Sequence, residues 1–94
     1  MNLKDKHTIE KPVSAQPLFK GEGTSVALQI LKGHQLKAHI TKIPALLICI
    51  TGQVVYEEET GTKVTLHPGD FINIEANIKH WIDGVEDSQL ILLK

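Results

Sequence analysis

Two stretches of the chain, ALLICI at 45–50 and LILL at 90–93, are apolar at every position. Side chains of a strand point alternately to its two faces, so both faces of each of these strands need cover. An antiparallel sheet ordinarily leaves one face to water. A chain with two such strands must close its sheet over a core and also set something against the outer side. Neither run approaches the roughly 20 residues that a helix needs to cross a bilayer.

The remaining pattern is β as well. In TSVALQIL, Val26, Leu28 and Ile30 alternate with Ala27 and Gln29, the period of a half-buried strand. QVVYEEE and KVTLH flank Thr60-Gly61, a hairpin signal. Pro68-Gly69-Asp70 marks a turn before FINI, with Asp70 expected to satisfy turn amides. No stretch holds a helical period. About eight short strands at this spacing predict an all-β sandwich or small barrel. Val26, Leu28, Ile30, Leu47, Val64, Leu66, Ile72 and Ile74 are its expected interior. Residues 1–23 form an N-terminal segment expected to add an edge strand, to its own or a neighbouring sheet, since Pro12 and Pro17 suit only an edge. Residues 24–94 form the single barrel domain.

Composition narrows the partners. All ten basic residues are lysine and the net charge is -1. Without arginine the chain lacks the bidentate fork that grips guanine, phosphate and carboxylate, and nucleic acid is not an expected partner. The one cysteine, Cys49, sits in an apolar strand and reads as a small core side chain. The charged start MNLKDKHTIEK lacks a signal-peptide core, so a cytoplasmic protein without membrane contact is expected. The outward set Leu46, Ile48, Ile50, Ile91 and Leu93 would make a wet apolar patch, so a homodimer is expected.

Five histidines carry the chemistry. His7 lies in the polar N-terminus and reads as solvated; His34 and His67 read as loop residues. His39 and His80 each stand within a pattern. Gly33 precedes His39 by six positions and Gly52 follows at the end of the same stretch; PGDFINIEANIKH places Pro68, Gly69, Asp70, Ile74, Ala76 and His80 in order. On these residues the sequence resembles the cupin superfamily, over about residues 24–93. The resemblance implies a jelly-roll barrel, the double-stranded β-helix. It also implies a metal site of His-x-His, a glutamate and a later histidine. Here the second histidine is Thr41 and the glutamate is Ala45, which leaves His39 and His80 as an incomplete metal pair. Gln35, Gln53 and Asn73 are the other candidate side chains for the shell.

Strict alternation places Leu36, Ala38 and Ile40 on one face and Lys37, His39 and Thr41 on the other, with His39 lining a barrel mouth beside His80. Thr41, Ala45 and Leu47 are candidate pocket-lining residues, and Trp81 alternates to the opposite face from His80. Glu57, Glu58 and Glu59 read as a solvated hairpin end rather than an acidic metal site. Two functions remain open. One is a barrel that binds a small molecule, with no cofactor beyond a weakly held divalent transition metal. The other is a metal-dependent enzyme, dioxygenase- or isomerase-like, in which solvent or substrate completes the shell around His39 and His80. No side chain is assigned a catalytic role.

Overall fold

The computed structural model describes residues 1–94, the side chain of Lys20 excepted. Nine strands follow a short 3-10 turn at Leu3–Lys6: β1 (Val13–Lys20), β2 (Thr24–Ile30), β3 (Gln35–His39), β4 (Ala45–Thr51), β5 (Val54–Glu58), β6 (Lys63–Leu66), β7 (Phe71–Ile74), β8 (His80–Gly84) and β9 (Ser88–Leu93). They form two antiparallel sheets, one ordered β1-β2-β9-β4-β7 and the other β3-β8-β5-β6. This is the jelly-roll arrangement. No helix of the structure is long and apolar enough to cross a membrane.

Pleat decides what each sheet buries. Leu28 stands opposite Leu90, and Leu90 opposite Cys49; Leu47 stands opposite both Ile72 and Leu92. These inward rows join Ile30, Ala45, Val54, Tyr56, Leu66, Ile74 and Ile82 in one core, with Val64 and Ile72 packed at its margin. Val26, expected inside, is only half-buried and stands outside that cluster. It lies opposite Pro17, where β1 bulges between Pro17 and Phe19 and pairs less regularly. Cys49 is fully buried, and burial pushes its thiol pKa up, with Asp70 adding to the effect. Asp70 accepts from the His67 amide at 2.8 Å, closing the turn.

Gly52 holds the sharp turn between β4 and β5. Its φ of +86° is left-handed, and a Cβ there would stand 2.3 Å from the Asp87 carbonyl oxygen.

The outer face of the five-stranded sheet is apolar in its middle. One row runs Ala27, Ile91, Ile48, Phe71 across four strands; the next runs Ser25, Leu93, Leu46, Asn73. The N-terminal segment covers part of this face. Gln29 Nε2 donates to the carbonyls of Thr8 and Lys11, and Gln89 Nε2 donates to Gln29 Oε1. His7, expected in solvent, is instead half-buried and hydrogen-bonded through Nδ1 to Ser14 Oγ. The polarity of its neighbours in sequence gave no sign that residues 1–12 fold back onto the sheet.

Candidate functional site

The four-stranded sheet carries the site. On β3 and β8, Leu36 pairs with Ile82 and His39 pairs with His80, so three steps along β3 match two along β8. The additional residue is a β-bulge, which reverses the alternation of faces. Leu36 therefore packs against the core while His39, three positions on, turns to the same interior. Strict alternation had placed Leu36 and His39 on opposite faces; the bulge corrects that reading. The His39 and His80 rings meet with centroids 4.3 Å apart at an interplanar angle of 59°.

Both rings are oriented in the same way. His39 Nδ1 lies 3.0 Å from the Lys37 carbonyl oxygen and His80 Nδ1 lies 3.1 Å from that of Ile78. A carbonyl only accepts, so each Nδ1 carries a proton, and in the neutral imidazole Nε2 is then the acceptor. His80 is 2% exposed. Its burial holds the imidazole below the usual histidine range; the Ile78 carbonyl opposes this, the nearby His39 adds to it, and Glu58 opposes it.

The adjacent strand β5 contributes two residues that the sequence did not single out. Glu58 stands directly opposite His80, so the two side chains share a face. The fully buried Tyr56 donates from its hydroxyl to Glu58 Oε2 at 2.7 Å, and its ring centroid is 5.6 Å from that of His80. The Tyr56 hydrogen bond lowers the Glu58 pKa, burial works against it, and Thr60, Thr62 and His80 reinforce it. The Glu57 to Glu59 run is thus not uniformly a solvated tip. Glu57 approaches Lys63 at 3.9 Å and Glu59 Oε1 accepts from the Lys79 amide, but Glu58 belongs to the barrel. The parity of Val54, Tyr56 and Glu58 along β5 was the available signal.

Thr41 is 6% exposed and its hydroxyl has no hydrogen-bond partner. Its carbonyl accepts from the Asn77 amide at 2.7 Å, which ties it to the turn leading into β8. Ala45 opens β4 opposite Ile74, and Leu47 is fully buried within the core. Trp81 pairs with Glu57 on the outer face of the sheet, half-buried. A groove of about 490 Å³ runs beside His39, lined by Val13, Gln35, Leu36, Lys37, Ala38 and His39.

Gln35 is engaged with Asp83, the Gln53 backbone is engaged with Ser88, and Asn73 sits on the outer face of the other sheet. None of the three completes a shell around the histidines. Among the described residues, no group of three His, Cys, Asp or Glu side chains is placed to hold a metal ion. The two imidazoles and the neutral Thr41 hydroxyl fall short of the three or four donors of a protein metal centre, and Glu58, the carboxylate opposite His80, is engaged by the Tyr56 hydroxyl.

No protein-family profile matches the sequence, and no curated protein matches it. Solved structures do. A protein from Neisseria meningitidis superposes with a TM-score of 0.81 at 15% identity, over 99% of this chain and 95% of that one. KdgF from a Halomonas species gives a TM-score of 0.78 at 21% identity, over 93% and 82%. A cupin superfamily protein from Desulfitobacterium hafniense gives 0.79 at 17% identity, over 87% and 75%. Likeness at such low identity speaks for the fold, which is the double-stranded β-helix of the cupins.

Proposed function

We propose that this cupin-fold chain is a small-molecule-binding barrel whose site, built on His39 and His80, works without a tightly held metal. The observation that carries this reading is the pairing of two preserved imidazoles with Thr41 and Ala45 where the cupin pattern has its other ligands. Alanine offers no donor atom, and the Thr41 hydroxyl is a poor ligand for a borderline metal. The rings retain lone pairs at Nε2, and these serve a hydrogen-bonding ligand as readily as an ion. Metal analysis of protein prepared without chelator or nickel resin tests it. Substoichiometric metal that is insensitive to His39→Ala is expected, and one tightly held ion per chain would overturn the reading.

A second reading keeps the metal-dependent enzyme. It is favoured by the carbonyl bonds to both Nδ1 atoms, the second-layer support typical of metal-binding histidines. The stoichiometric, His39-dependent ion that overturns the first reading is the result expected from this one.

The assembly proposed for either reading is a homodimer formed through the outer face of the five-stranded sheet. Ile48, Ile91 and Phe71 lie side by side there, with Phe71 62% exposed. Soluble chains rarely leave such a row wet, and a self-complementary two-fold contact is the simplest cover.

A further inference from the structure

Residues 1–12 lie against one end of the outer face of the five-stranded sheet, and polar contacts do most of the holding. Gln29 Nε2 meets two carbonyls, of Thr8 at 3.1 Å and of Lys11 at 3.2 Å, which settles its orientation and leaves Oε1 to accept from Gln89. His7 bonds through Nδ1 to Ser14 Oγ on β1. Apolar hold is slight: none of Leu3–Lys6 is buried, and Met1 and Ile9 are exposed. The fit is loose as well. A cavity of about 400 Å³ is lined from both sides, by Lys4, Asp5 and His7 of the segment and by Gln29, Asp87 and Gln89 of the barrel. Two atoms of these residues, His7 Nε2 and Gln89 Oε1, are buried without a hydrogen-bond partner.

We propose that His7 is an acid-operated latch: neutral, it holds residues 1–12 on the sheet, and protonated it releases them, baring the Gln29–Gln89 pair next to the outward pair Ala27 and Ile91. A neutral imidazole is satisfied at Nδ1 by Ser14, whichever of the two gives the proton, and leaves one orphan atom at Nε2. An imidazolium must donate from both nitrogens. Its Nδ1–H still has Ser14 Oγ, but its Nε2–H becomes a buried donor on a charged ring with nothing to receive it. That is costlier than a neutral orphan. The surrounding groups do not repair the loss. Lys4 and Lys6 carry the same sign as the imidazolium, and β1, β2 and β9 bring the neutral side chains of Ser14, Gln29 and Gln89. Asp5 is engaged by the Asn2 amide and Asp87 by the Lys32 amide, and neither bonds the ring. Glu10 and Lys11, further along the segment, are exposed. Burial, and then Lys6, hold the His7 pKa below the usual histidine range, in keeping with this balance. The latch is independent of the His39–His80 site and of any ligand there.

The test is an NMR titration of the whole chain from pH 7.5 to 5.5, following His7 Hε1, the side-chain amide pair of Gln29 and the backbone amides of Leu47 and Leu90. The Gln29 pair, which loses both carbonyl partners on release, should move to free-amide positions with the same midpoint as His7, below the ordinary value of 6.5. Leu47 and Leu90, in the core, should keep their native positions. His7→Asn can still bond Ser14 but cannot take a charge, and its Gln29 pair should not respond to pH. If that variant shows a free Gln29 pair already at pH 7.5, the shared midpoint in the wild type decides. An unmoved Gln29 pair in the wild type, a His7 midpoint above 6.5, or an equal acid transition in His7→Asn would overturn the latch. So would Gln29 changes that come only with loss of the Leu47 and Leu90 signals, since these report unfolding of the barrel.

Discussion

His39 and His80 face each other across neighbouring strands because β3 carries one more residue than β8 between their two paired positions. The bulge sits at Lys37 and Ala38, and the Lys37 carbonyl it exposes is the one that fixes the His39 ring. Deleting Ala38 removes the bulge and leaves His39 two positions after Leu36, so regular alternation should keep both side chains on the interior face and His39 opposite His80. The expected outcome is a folded barrel that retains the nuclear Overhauser contact between the two imidazoles. Loss of that contact in a folded variant would show that the bulge itself, and not only the parity it sets, holds the ring pair.

Acid should weaken the fold through His80. In the unfolded chain this imidazole titrates near 6.5, and in the barrel burial holds it lower. Between the two values the unfolded state binds the proton and the folded state does not, so stability falls as pH drops through that window. The contribution is fully present above the unfolded value. His7, also lowered by burial and by Lys6, acts in the same direction, although its greater exposure weakens the effect. Thermal melting from pH 7.5 to 5.0 should show a decline that His80→Phe reduces. An equal decline in that variant would rule out His80 as its source.

Tyr56→Phe removes the hydroxyl that bonds Glu58 while keeping the buried ring. The loss should be about 1 kcal/mol, at the lower end for a charged partner because Glu58 is partly solvated. The Glu58 titration should rise toward an ordinary carboxylate value, since the Tyr56 bond is the largest influence lowering it. Urea denaturation and carboxyl-carbon NMR check the two effects independently.

Gly52→Ala should be among the most damaging single-methyl additions in the chain. The new Cβ would meet the Asp87 carbonyl oxygen at 2.3 Å and the Ser88 Cα at 2.7 Å, both backbone atoms, at a φ of +86°. Ser88 also donates to the Gln53 carbonyl and accepts from its amide, so the strand ends cannot part cheaply. Positive φ alone costs about 1–2 kcal/mol for a residue with a Cβ, and the clash adds to it. Gly61→Ala provides the control: its φ is also positive, but no heavy atom lies within 4 Å of the added Cβ. Chemical denaturation should separate the two variants clearly.

Sedimentation of the wild-type chain at micromolar concentration should give twice the chain mass. Ile48→Glu places a charge in the row of Ile91 and Phe71 and should produce a monomer with its histidine resonances intact. A wild-type monomer would refute the dimer.

The barrel and most of its interior were legible because period-two alternation and turn residues report directly on pleat and strand ends. Leu28, Ile30, Leu47, Leu66 and Ile74 could be placed inside from that alone. The meeting of His39 with His80 was legible only through the glycine and proline spacings around them. What escaped was local backbone irregularity. The β3 bulge contains no glycine or proline to announce it, so counting by twos put Leu36 and His39 on opposite walls. Glu58 escaped because three consecutive glutamates look alike until the strand's parity is anchored on Tyr56. His7 escaped because it bonds Ser14 and because Gln29 ties the neighbouring Thr8 and Lys11 carbonyls to the sheet, contacts that a linear reading of the first residues does not contain.

In the five-stranded sheet, β9 lies between β2 and β4. Until Ser88–Leu93 is available, β1-β2 and β4-β7 are two separate pairs, each with an open hydrogen-bonding edge where β9 belongs. During synthesis at the ribosome the barrel therefore cannot close strand by strand. Its first pairs must wait, edges bare, for the strand that joins them, and such edges are templates for pairing with other chains. The joining strand, LILL included, is also among the most apolar in the sequence. The interval before its arrival is when the chain is most open to pairing with other chains.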